Sequence, residues 1–153
     1  MENEKTIDVL NTLITINNDR IEGYETAIKE TNEEDLRVLF ARFVQTSQKC
    51  KQELVLEVIN LGGKVAEGTM TSGKFYRVWM EIKASLTNQD RKAILNSCEY
   101  GEDIAVATYE RTLKNDTEHL HGEQLLMIKA QYASIKANHD KVKTMRDNMM
   151  PTL

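Results

Sequence analysis

A carboxylate in the middle of an apolar helix face has the clearest chemical potential in this sequence. The stretch Ile94–Leu113 has the three- and four-residue spacing of a packed helix, and Glu102 falls on the face predicted to be buried. A buried acid either belongs to a functional site or makes a polar contact that fixes how helices meet. The sequence leaves both interpretations of Glu102 open, and it indicates no single activity.

Three further polar residues are predicted to share the level of Glu102. Counted from the helix ends, Asn17, Ser47 and Gln131 fall in one layer with it, if the third helix runs parallel to the second. Di-metal centres in helical bundles need several carboxylates and histidines at one level, whereas this layer offers one carboxylate, two amides and one hydroxyl. We therefore expect a hydrogen-bonded layer in which the three neighbours donate to a structural Glu102, with no metal cofactor.

A second candidate site is centred on His139. Glu22 and Glu99 are predicted to lie near the same end of the bundle, and an imidazole between two carboxylates can bind a metal ion or carry a proton. The alternative is a core histidine with its own hydrogen-bond partners, beside acids that face water. If a metal ion does bind, the candidate ligands are Glu22, Glu99, Glu102 and His139. The histidines of Glu118–His121 lack a defined ligand spacing and indicate a solvated turn.

Composition and charge limit the classes of protein to consider. The 153 residues are enough for one domain, residues 1–153, with a core that needs no disulfides. A formal net charge of −4 with interspersed signs argues against nucleic acid or anionic lipid as a partner. No apolar run is long enough for a signal region or a membrane span, and Cys50 and Cys98 fit small core residues of a reducing compartment. We expect a cytoplasmic protein.

Four long amphipathic segments organise the chain, and they predict an all-α four-helix bundle. They run over approximately Thr6–Lys29, Leu36–Leu61, Thr87–Lys114 and Glu118–Asn148. Gly62 and Gly63 are placed to end the second helix as a C-terminal cap. The long connection that follows contains a short amphipathic helix, Lys74–Leu86, which is predicted to pack on the bundle through Phe75, Trp79 and Ile82. Such a crossover lets the third helix run parallel to the second.

The first helix carries more apolar surface than one packed face requires. Val9, Leu13 and Ile16 form a second row beside the main one. An exposed aliphatic strip usually marks a contact surface. We therefore expect a homo-oligomer that associates through this strip.

Several short stretches together resemble a bacterial family of four-helix-bundle proteins of unknown function that is grouped with the ferritin-like folds. The stretches are Ile16–Tyr24, Trp79–Ala84, Cys98–Asp103, Gln131, His139–Asp140 and Met145–Asp147. Members commonly carry His-Arg-Gly-Trp on the crossover, where this chain has Tyr76-Arg77-Val78-Trp79. The resemblance covers nearly the whole chain. It implies a ferritin-like bundle and no established activity.

Three functions follow as hypotheses. The leading one is a non-enzymatic bundle that acts as a homo-oligomer or an interaction module with an unknown protein partner. The first alternative is a metal-binding ferritin-like protein. The second is an enzyme that uses the cluster of His139, Glu22 and Glu99.

Overall fold

The computed structural model describes residues 2–68 and 91–148. In these two ranges the chain forms four long helices and no strand. They are α1 (Glu2–Glu30), α2 (Glu34–Asn60), α3 (Arg91–Asn115) and α4 (Gly122–Asp147), with a short 3-10 helix, Thr117–His119, between α3 and α4. The predicted all-α bundle of four helices is therefore confirmed. The predicted crossover helix, Lys74–Leu86 with Phe75, Trp79 and Ile82, lies outside the described residues.

The end of α2 shows how local sequence sets a helix boundary. The backbone N–H of Gly63 donates to the carbonyl of Val58 and that of Gly62 donates to the carbonyl of Ile59, each over 2.9 Å. Gly62 has a φ of 75°. This is the Schellman arrangement, in which a residue in the left-handed region closes the helix and satisfies its last carbonyls. The predicted cap at Gly62 and Gly63 is confirmed.

The helix directions follow from contacts between helix ends. The Arg91 guanidinium, at the first described residue of α3, lies 2.6 Å from the Asp35 carboxylate and 3.3 Å from that of Glu33, at the start of α2. Toward the other end, Tyr109 of α3 belongs to the same core cluster as Leu54 of α2. Thus α3 runs parallel to α2, as predicted, and each helix pairs with an antiparallel neighbour.

The core consists of two apolar clusters. One surrounds Phe40 and Phe43 near the start of α2, and the other surrounds Leu54 and Tyr109 nearer its end. Buried polar side chains lie at the level between them, among them Arg20 and Glu102. The bundle therefore has a polar layer between two apolar layers.

The predicted exposed strip on α1 is wrong. Leu13 and Ile16 are fully buried in the second cluster, and only Val9 is partly exposed. The segment that follows α2 turns back along α1, since the Asn11 side chain bonds the backbone of Lys64 and Ala66, each over 2.9 Å. This removes the basis for a homo-oligomer formed through the strip, and the oligomeric state itself stays a prediction.

A helix that spans a membrane needs about 20 consecutive, predominantly apolar residues. Among the described residues, none of the helices has a stretch apolar and long enough to cross a membrane.

Candidate functional site

The structure brings together the four polar residues that were predicted to share one layer. Asn17, Ser47, Glu102 and Gln131 are all buried inside the bundle, and each comes from a different helix. They do not form one continuous group around Glu102. Two hydrogen-bonded groups of side chains result, and each links more than two helices.

The first group is built on an ion pair between Arg20 and Glu102. Nη2 of Arg20 donates to Oε1 of Glu102 over 2.7 Å, and both side chains are 1% exposed. The Tyr24 hydroxyl donates to the same carboxylate oxygen over 2.8 Å, and Nη1 of Arg20 bonds the Ser47 hydroxyl. The donors expected from sequence were therefore wrong. Arg20 and Tyr24 hold Glu102, and Ser47 bonds Arg20 instead.

The second group runs through Tyr109. Asn17 Nδ2 donates to the Tyr109 hydroxyl over 2.9 Å, and that hydroxyl donates to Gln131 Oε1 over 2.7 Å. Gln131 Nε2 in turn donates to the Cys50 carbonyl over 3.2 Å and to Glu53 Oε1 over 3.1 Å. This chain of bonds connects all four helices. Such a network fixes their relative positions, because buried side chains of different helices bond one another directly.

Burial and charge set the protonation of the interior. Burial is the largest influence on Arg20 and would lower its pKa, but the Glu102 carboxylate together with Tyr24 and Cys50 offsets it and the pKa is raised. Burial raises the pKa of Tyr24 well above its usual value, and the neighbouring Glu102 adds to the effect. The guanidinium thus stays charged and the phenol stays a proton donor. Both are suited to holding a carboxylate.

The two cysteines are not activated nucleophiles. Both thiols are buried and free. Burial raises the pKa of Cys50 to about 11 and raises that of Cys98 as well. Since the thiolate is the reactive form, both side chains act as small core residues at neutral pH.

A cluster of metal-ligand type forms between α3 and α4. Glu99, Asp103 and His139 each offer one ligand atom, and these atoms all lie within 4.8 Å of one another. His139 Nε2 is 2.5 Å from Asp103 Oδ1, and Nδ1 is 3.0 Å from Asp140 Oδ1. The imidazole is therefore held between two carboxylates from two different helices.

The composition of this cluster differs from the predicted one. Glu22 is exposed on α1 and does not belong to it, so the predicted set of His139, Glu22 and Glu99 does not form. Asp103 takes that place. The sequence did contain the signal, because Glu99 and Asp103 are four residues apart and so lie on one face of α3.

Two further contacts lie at opposite ends of α4, one made by Arg146 and the other by His121. The Arg146 guanidinium pairs with Oε2 of Glu99, so one oxygen of that carboxylate is already engaged. In the turn between α3 and α4, the His121 backbone N–H donates to Gln124 Oε1 over 2.9 Å. This bond caps the start of α4. The turn that contains His119 and His121 therefore has a structural role at the start of α4.

Comparison with known proteins identifies a family for this chain but indicates no activity. No curated protein shows significant similarity to the chain. A family model described as a domain of unknown function, DUF2383, matches residues 5–115. This range includes α1 to α3 with Arg20, Glu99 and Glu102, and it ends before α4. Because the match spans well over half of the sequence, the chain belongs to the DUF2383 family.

Proposed function

We propose that this chain is a non-enzymatic helical-bundle protein that binds one divalent transition-metal ion at Glu99, Asp103 and His139. The observation that carries the proposal is the approach of these three ligand atoms to within 4.8 Å of one another. Imidazole nitrogen and carboxylate oxygen are usual ligands of zinc and related ions, at about 2.0–2.2 Å from the metal. Ligands at that radius lie about 3–3.5 Å apart, so small side-chain rotations would close the site.

The surroundings of His139 favour binding through Nε2. Asp140 holds Nδ1 from the outer side, an arrangement that orients a ligating imidazole and strengthens it as a donor. On the other side, Nε2 lies 2.5 Å from Oδ1 of Asp103 and is hydrogen-bonded to it through one proton. A metal ion would displace that proton, so affinity should fall as the pH is lowered.

The Arg146 guanidinium competes with a metal ion for the Glu99 carboxylate. It pairs with one oxygen of Glu99, which neutralises charge that a metal ion would otherwise use. The other oxygen of Glu99 remains available as a ligand. Removing the Arg146 charge should therefore strengthen metal binding.

The interior supports a non-enzymatic role and a peripheral metal site. Glu102 already has a cation in Arg20, so the centre of the bundle has no surplus negative charge that calls for a metal ion. The buried thiols are protonated at neutral pH, as described above. This leaves the cluster around His139 as the group best suited to bind a ligand through a metal ion.

Titration of the EDTA-treated protein tests the proposal. Calorimetry with Zn²⁺ and absorption spectroscopy with Co²⁺ should each show one ion per chain. His139→Gln and Asp103→Asn should each weaken binding by at least about tenfold, since each removes a ligand atom.

His119→Gln is the matched control. It makes the same change on the turn before α4, outside the cluster, and should leave binding unchanged. Circular dichroism should show that all variants remain helical. Binding that is absent, or that survives both His139→Gln and Asp103→Asn, would reject the metal function.

A further inference from the structure

A polar groove separates α2 from α4. Its volume is about 500 Å³, within the usual range of about 300–1,000 Å³ for small-molecule sites. The groove exists because the facing positions on the two helices are small or polar and do not close over the core. Its walls include Arg42, Thr46, Lys49, Glu53, Ser134 and Asn138.

The two walls are single helix faces in a known register. Arg42, Thr46, Lys49 and Glu53 recur at helical spacing along α2, as do Gln131, Ser134 and Asn138 along α4. Gln131 bonds the Cys50 carbonyl and Gln124 bonds Glu57, which shows that α2 and α4 are antiparallel. Arg42 and Asn138 therefore lie toward one end of the groove, and Glu53 and Gln131 toward the other.

Charge and hydrogen-bonding capacity differ between these ends. Arg42 and Lys49 are exposed, and neither makes an ion pair with another described residue. Glu53 at the far end accepts a hydrogen bond from Gln131. The groove thus has two cationic side chains without an ion-pair partner among the described residues, and one anionic side chain whose carboxylate is partly satisfied.

Asn138 adds an unused donor at the cationic end. Its Nδ2 is buried and forms no hydrogen bond in the described part of the chain. Buried amide nitrogens are nearly always paired. Because Nδ2 has almost no accessible surface, a small rotation of the Asn138 side chain toward the groove would bring it to an acceptor bound between Asn138 and Arg42.

We propose that the groove between α2 and α4 binds a small organic carboxylate. The Arg42 guanidinium would bind the carboxylate through two parallel N–H donors. Asn138 Nδ2 would donate a further hydrogen bond to the same carboxylate. Lys49 contributes charge along the wall, and the Thr46 and Ser134 hydroxyls can bond polar atoms of the ligand body. Glu53 lies eleven residues along α2 from Arg42, about 16 Å of helix, so a ligand as short as succinate bound at Arg42 does not reach it. This site is independent of the metal function proposed above.

Titration with succinate, followed by NMR, tests the proposal. EDTA is included so that failure of the metal site does not affect the result. A saturable shift of the Asn138 side-chain amide is expected. Arg42→Gln should weaken the succinate affinity by at least about tenfold, because it removes a charged donor to the carboxylate. Asn138→Ala should weaken it by a smaller factor.

Lys129→Gln is the control for general charge effects. Lys129 is an exposed cation of α4 outside the groove, and its change should leave succinate affinity as it was. Equal losses in Arg42→Gln and Lys129→Gln would overturn the proposal, as would the absence of saturable shifts at Asn138. Tighter binding of inorganic phosphate than of succinate would overturn the assignment to a carboxylate.

Discussion

At the scale of single residues, the pair of Arg20 and Glu102 dominates the interior. Removing two charges from water is costly, and the attraction between them offsets the cost only with good geometry and further hydrogen bonds. Tyr24 and Ser47 provide such bonds, one to each partner. The pair is therefore expected to matter more for the way the helices meet than for net stability.

A double-mutant cycle on this pair tests that view. Glu102→Leu should lower the free energy of unfolding by about 3–5 kcal/mol, because it leaves the Arg20 charge buried without a partner. Glu102→Gln should lower it less, since the amide oxygen can still accept from Arg20 and Tyr24. The double change Arg20→Met with Glu102→Leu should recover most of the loss. Urea unfolding measures these three variants, the Arg20→Met single variant and the original protein.

This view would be contradicted if the double variant lost as much unfolding free energy as the two single variants together. The donors predicted from the sequence are all neutral, and losing the carboxylate among neutral donors alone would cost less, about 1–3 kcal/mol. Arg20 was missed for a specific reason. Its neighbour Ile21 fits the apolar spacing of α1, so the pattern indicates Ile21 as the buried residue. Which of the two adjacent residues faces the core depends on the rotation of the helix about its axis.

At the scale of elements, sequence signals placed the described helices to within a few residues. Apolar spacing gave the four helices, and the glycines after α2 gave its end. The last helix was predicted to begin near Glu118, but α4 begins at Gly122 after a separate 3-10 turn. Polar turn residues are compatible with either conformation, so periodicity does not resolve this boundary.

Gly62 tests the helix-ending motif. Gly62→Ala should lower the free energy of unfolding by about 1 kcal/mol, because its φ of 75° is unfavourable for a residue with a Cβ atom. No atom lies within 4 Å of the position of the added Cβ, so the effect would come from the backbone alone.

Gly122→Ala is the matched control for Gly62→Ala. It also adds a methyl group in open space, at the first residue of α4 and without a positive φ. It should be neutral or slightly stabilising. Thermal unfolding of both variants measures the difference, and an equal effect at the two glycines would contradict the explanation.

At the scale of the whole molecule, the two apolar clusters and the polar layer between them account for the wide apolar surface of α1. The second row on this helix is used inside the chain, where Val65 and Ala66 also pack on the same cluster. An apolar strip on one helix therefore does not by itself indicate an interface between chains.

Leu13→Glu distinguishes a core position from an interface position. Leu13 is fully buried, so a carboxylate there should cost about 3 kcal/mol or more of unfolding free energy and lower the melting temperature strongly. Val9→Glu, at the partly exposed end of the same strip, should cost much less. Circular dichroism and size-exclusion chromatography check both variants. If the Leu13→Glu protein melted like the original and changed only its oligomeric state, Leu13 would be an interface residue and not a core residue.

The sequence by itself determined the helices, the cap at Gly62, the parallel course of α3 and α2, and the burial of Asn17, Ser47, Glu102 and Gln131. These features depend on spacing and turn residues within each segment, and the parallel course also depends on the length of the connection between α2 and α3. Only the tertiary structure decided that Arg20 pairs with Glu102, that Asp103 joins His139, and that Leu13 is core. Each of these depends on how far a helix is rotated about its axis and on which segment covers it. A change of one residue turns the face by about 100°, and contacts between distant segments fix that rotation.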